Sequence, residues 1–119
     1  MSSSLRKETY LWLAQRGSAM VLAVCICVHL ATMIIAVQGG LSATEIIARV
    51  GGNELWLGFY IIFVLAVSVH APIGLKTVLT EMTTLSDKRI ELLMTLFALL
   101  VVVLGLRAAF GLYGLGGAG

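Results

Sequence analysis

Two histidines, His29 and His70, each lie inside a long run of apolar residues. An ionisable ring is costly in hydrocarbon, so each needs a partner. Two kinds of chemistry meet that need: a hydrogen bond across a helix interface, or ligation of haem iron through the neutral imidazole. Around His70 the spacing points to the second. Ala66, His70 and Gly74 are four residues apart and so line one helix face, where the small neighbours leave room for a flat macrocycle. Lys76 follows about 9 Å further along a helix, and it or Arg16 is placed to meet haem propionates. His29 comes 13 residues after Arg16, roughly 20 Å along a straight helix. The two histidines therefore belong to different depths and are not expected to hold one iron. Cys25 and Cys27 are two residues apart and point to different helix faces, which excludes a mutual disulfide or a shared metal. Both are read as small packing residues.

The elements that carry these residues follow from composition. With 60% hydrophobic and 12% charged content in 119 residues, and a mean hydropathy of +1.04, polar side chains are too few to cover a water-soluble globule. Three apolar intervals, Gly17 to Thr44, Leu55 to Leu75 and Leu92 to Leu106, the last continuing past Arg107, approach or exceed the roughly 20 residues that cross a bilayer. Alternating barrel patterning is absent, so the spans are helical. The expected fold is all-α: a single membrane-anchor domain of three transmembrane helices, over about residues 13–37, 54–80 and 88–113. The apolar run after Arg6 and Lys7 is longer than a signal peptide's apolar core, and no cleavage site follows, so it is read as a retained helix.

Met1 to Tyr10 is polar and serine-rich and is expected to lie at the interface, anchored by Tyr10 and Trp12. Gln38-Gly39-Gly40 ends the first helix. Ser42 to Val50 has Ile46, Ile47 and Val50 on one side and Glu45 and Arg49 on the other, the pattern of a short amphipathic helix. Gly51-Gly52-Asn53 breaks it. Ser86-Asp87 caps the third helix, and the glycines from Gly114 to Gly119 are expected to fray. Arg6, Lys7 and Arg16 precede the first helix and Lys76, Lys88 and Arg89 lie between the second and third. The positive-inside rule then puts the N-terminus in the cytoplasm or matrix. No basic cluster of the kind that tracks nucleic-acid phosphates is present. No acidic residue lies within a span to carry a coupling ion, which disfavours a transporter or channel.

The run His70-Ala71-Pro72-Ile73-Gly74-Leu75-Lys76-Thr77-Val78-Leu79-Thr80-Glu81 resembles the His-x3-Gly-Ile-Arg-His-x3-Asp signature of the large cytochrome b subunit of succinate dehydrogenase. Gln15-Arg16-Gly17-Ser18-Ala19 resembles that family's first-helix His-Arg-x-Ser/Thr-Gly motif. Helix order and the gap between the motifs also agree, so the resemblance covers almost the whole chain. Among the departures from the pattern, Gln15 replaces a histidine, Trp12 a quinone-side serine, and Thr77 a second histidine.

The resemblance implies that His70 ligates haem b and that Arg16 lies by the quinone pocket, near an iron–sulfur subunit. Trp12 would then wall the pocket. Ser18 either offers it a hydroxyl or bonds its own helix backbone. Related two-haem anchors carry histidines on their first two helices, which makes His29 a candidate ligand of a second haem or else an interhelical hydrogen-bonding residue. Arg107 either snorkels to the outer interface or meets that second haem's propionate. The implied function is a haem b-binding anchor of succinate dehydrogenase in the tricarboxylic acid cycle, passing electrons to quinone, with fumarate reductase as the alternative. Its partners would be a second small anchor subunit, the iron–sulfur subunit, the flavoprotein and membrane lipid, in a bacterial inner membrane in preference to a mitochondrial one. The anchor itself would hold no catalytic residue for the dicarboxylate. The rival reading is a structural or assembly subunit of another membrane complex whose histidines only hydrogen-bond.

Overall fold

A computed structural model of the chain describes residues 3–117, and within them all regular structure is helical. The order is α1 (Ser3–Gln38), α2 (Ala43–Val50), α3 (Glu54–Met82) and α4 (Asp87–Gly117). Three of these, α1, α3 and α4, are long and apolar enough to cross a membrane. The bundle measures 54 × 26 × 23 Å, and its long axis matches the 36 residues of α1 at 1.5 Å each.

Helix ends are set by local chemistry. At the end of α1, Leu41 N–H donates to Ala36 C=O at 3.0 Å and Gly40 N–H to Val37 C=O at 3.1 Å. This is a Schellman closure, with Gly40 at φ 65° as its left-handed residue. Ser42 caps α2 by accepting from Glu45 N–H, and its hydroxyl donates back to the Glu45 carboxylate at 3.2 Å. Asn53 caps α3 by accepting from Leu55 N–H at 2.9 Å. Ser86 caps α4, accepting from Arg89 N–H at 3.4 Å.

Two helix ends differ from the sequence expectation. Helix α1 begins at Ser3, so the polar N-terminal segment is continuous with the first span, with Lys7 reaching Glu91 of α4 at 3.4 Å. Exposed on both sides, that pair contributes little. The glycines at the far end of α4 are helical through Gly117, with residues 118 and 119 outside the described range. The helix persists because its end is held. Gly52 N–H donates to Tyr113 C=O at 2.9 Å, and Gly116 lies so close to Gly51 that a Cβ on Gly51 would come within 2.6 Å of the Gly116 nitrogen.

The helix α3 is central, packing against α1 on one side and α4 on the other, while α2 packs on α4. Full burial is confined to a few seam positions, among them Cys25, Ala66, Pro72, Ile90 and Ala109, and many large apolar side chains elsewhere are exposed, as expected where lipid is the solvent. Small residues allow the helices to approach. At the α3–α4 seam a Cβ on Gly105 would meet Val64 Cγ1 at 2.6 Å. Gly105→Ala is therefore expected to destabilise the bundle by about 1–3 kcal/mol, the usual cost of overpacking, and adding Val64→Ala should recover most of it. Thermal denaturation of the purified protein in detergent tests both variants.

Candidate functional site

Helices α1 and α3 bring polar groups together at one end of their seam. A cleft of about 360 Å³ opens there, with Leu11, Trp12 and Gln15 of α1 facing Ile73, Lys76 and Thr77 of α3, and Glu8 and Glu81 at its margin. Gln15 of α1 rests against Gly74 of α3: a Cβ there would lie 3.7 Å from Gln15 Nε2, an ordinary contact distance. Part of the room that Gly74 makes beside His70 is thus used by Gln15. The Gln15 Oε1 is buried and has no hydrogen-bond partner.

His70 is half-buried on α3, one turn before Gly74, and its Nδ1 is buried without a partner. Pro72 sits in the same turn. Lacking an N–H, it leaves the Ser68 carbonyl without its usual intrahelical donor, so α3 keeps its helical course with one ladder bond missing beside the histidine. Arg16 is exposed, its guanidinium 5.6 Å from the centroid of the Trp12 ring, within cation–π range. It touches the cleft through Trp12 and is absent from the cleft lining itself. Ser18 Oγ donates to Gln15 C=O at 3.1 Å, so this hydroxyl is engaged by its own helix.

His29 lies at another level. Its ring meets Tyr60 and Phe63 of α3 edge-on, with centroids 6.1 and 5.8 Å away, and its Nδ1 too is buried without a partner. Tyr60 and Phe63 precede His70 by ten and seven residues, which puts the two imidazoles roughly 10–15 Å apart along the bundle. Arg107 is exposed on α4, two residues past the Gly105–Val64 contact, which sets it near the level of His29 and away from His70. The structure therefore groups Trp12, Gln15, Lys76 and, through Trp12, Arg16 around the His70 end, and leaves His29 and Arg107 further along. Gln15 and the two glutamates at the margin were not among the sequence candidates. Only the antiparallel register of α1 and α3 reveals them.

Among the described residues no three His, Cys, Asp or Glu side chains converge as a metal-ion site. Cys25 is buried and Cys27 exposed, on different faces as their spacing requires. The donor set that remains is single imidazoles, each with an unanswered nitrogen in an apolar span. That chemistry fits axial ligation of a haem, which takes one ligand from each side.

No curated protein and no solved structure matches the chain. The sequence model for the succinate dehydrogenase/fumarate reductase transmembrane subunit matches residues 2–106, a stretch that holds all of α3, most of α1 and α4, both histidines and the whole cleft. The chain is an integral membrane protein and belongs to the succinate dehydrogenase/fumarate reductase transmembrane subunit family.

Proposed function

We propose that this chain is the haem b-binding anchor of a succinate dehydrogenase, receiving electrons from an iron–sulfur subunit and passing them to quinone in the cleft between α1 and α3. The observation that carries the reading is the placement of His70, with its buried, unpartnered Nδ1, about one helical turn from a cleft lined by Trp12, Gln15, Ile73 and Lys76. Electron donor and acceptor would meet at that end of the bundle. His70 would be the axial ligand and Lys76 the cation for a propionate. Haem b, when bound, supplies a one-electron carrier beside the quinone.

The chain's own residues account for the rest of the site. The apolar walls given by Leu11 and Ile73 suit a quinone ring, and Trp12 closes one side. Lys76 is a cationic donor able to stabilise negative charge developing on a quinone oxygen. Arg16, held over the Trp12 ring, adds positive potential and fixes that wall. Full reduction of a quinone takes two electrons and two protons, and Glu8 and Glu81 at the cleft margin are placed to relay protons from solvent. A second small anchor subunit, the iron–sulfur subunit and the flavoprotein would complete the complex, with the N-terminal end of α1 on the cytoplasmic side of a bacterial inner membrane.

A second haem on His29 is supported by one further observation, the unpartnered Nδ1 of that ring. Its separation from His70 means that it would serve a separate iron, with Arg107 near the same level for a propionate.

His70→Leu should remove or convert the b-type spectrum of the purified complex, read as reduced minus oxidised absorbance. An unchanged spectrum and haem stoichiometry would leave the chain a structural subunit. Arg16→Ala is expected to lower quinone reduction by less than the roughly hundredfold that loss of a directly bonded donor costs, while succinate oxidation by a soluble dye stays near the parent rate. Parallel loss of both activities would indicate failed assembly. For the second haem, His29→Leu should lower haem per complex from two to one; one haem in the parent, retained in full by the variant, would reduce His29 to a packing role.

A further inference from the structure

At the opposite end of the bundle from the Lys76 cleft, a second cleft of about 290 Å³ lies between the end of α1, the amphipathic α2 and the start of α3. Its walls include Met33, Ala36, Leu41 and Ile46, with Arg49 and Trp56 contributing the cation and the indole. The helix ends at Gly39-Gly40 and Asn53 put this cleft where the spans leave the hydrocarbon, and a tryptophan is at home at that depth. A narrow apolar slot at this position is continuously in contact with lipid chains.

The charge of the site is decided by α2. Glu45 stands four residues before Arg49, the spacing at which a helix normally pairs the two. Here the Glu45 carboxylate is turned to the helix start, accepting from the Ser42 hydroxyl at 3.2 Å while Ser42 caps the Glu45 N–H. Arg49 has no ion pair among the described residues. It is also the lone Lys or Arg between α1 and α3 and the one charged residue in the cleft lining, with Glu45 and Glu54 outside that lining, so the cleft sets a cation above an apolar slot.

We infer that this cleft binds an anionic phospholipid, with an acyl chain between α1, α2 and α3 and its phosphate on Arg49. A zwitterionic lipid carries its own cation beside the phosphate and gains little from the guanidinium. A neutral quinone has no use for a permanent cation. Anchoring the lipid would also tie α2 to the two helices that form the haem and quinone seam, since Tyr60 lines the cleft and meets His29 on its other side. The site is independent of the function proposed above.

The purified complex, exchanged into mixed phosphatidylglycerol and phosphatidylcholine vesicles and re-extracted, allows its retained lipids to be counted by mass spectrometry. One arginine near a membrane surface is worth about 1 kcal/mol for an anionic lipid, so retention of phosphatidylglycerol over phosphatidylcholine at this site should be about fivefold. Arg49→Gln should abolish that preference and lose one phosphatidylglycerol per chain, and Arg49→Lys should keep it. Ala36→Trp, which fills the slot with Arg49 intact, should lose the same lipid. Equal retention of the two lipids by the parent, or an unchanged ratio in Arg49→Gln, overturns the inference. So does full selectivity in an assembled Ala36→Trp complex, because the charge would then act without the slot.

Discussion

Hydrocarbon offers no hydrogen bonds, so every polar group placed in it must be answered by the chain or by something the chain holds. The backbone answers itself by being helical. Short hydroxyls answer themselves too: Thr32 donates to His29 C=O at 2.7 Å and Ser68 to Val64 C=O at 2.7 Å, in the same manner as Ser18. An imidazole or a glutamine amide is too long to fold back onto its own turn in this way. Among the described residues, the buried side-chain atoms left open are the Nδ1 atoms of His29 and His70 and the Oε1 of Gln15. Binding capacity in this protein is what remains after self-satisfaction.

The second consequence of the same solvent is that apolar surface drives no packing between helices, and close approach has to supply it. The contacts that order this bundle are accordingly made where side chains are smallest. Gly105 admits Val64 and Gly51 lies against Gly116, each too close for a Cβ, while Gln15 rests on Gly74 at ordinary contact distance. The register of α1 against α3 brings Trp12 beside Lys76 and sets His29 against Tyr60 and Phe63.

Hydropathy made the three spans legible, because 20 apolar residues in succession have few other uses. The three- and four-residue spacing of Ile46, Ile47 and Val50 equally revealed α2. What it concealed has a common cause. The first turns of α1 are polar because they stand in water, so hydropathy falls while the helix continues to Ser3. In the last turns of α4, Gly116 meets the Gly51–Gly52 backbone, and intrinsic propensity misjudges such an end when tertiary contact overrides it. The identity of the histidines was plain from their rarity in apolar runs. Their neighbours were not, since partners such as Gln15 and Gly74 are 59 residues apart and nothing local links them.

The bundle's shape limits what it can do alone. Both α1 and α4 pack on α3, so the seam that holds His70 is two helices thick and the histidine is only half-covered. The chain provides one imidazole at each of two levels, roughly 10–15 Å apart by helical rise, a distance no single iron bridges with its two axial bonds. In the proposed assembly the second ligand at each level must therefore come from outside the chain, and so must the surface that shields the macrocycle from lipid. The exposed faces of α1, with Val21, Val24 and Val28 uncovered, cost nothing in hydrocarbon and are free to receive another helix. In that proposed assembly the haem would be the group around which two membrane subunits join, each supplying part of its coordination.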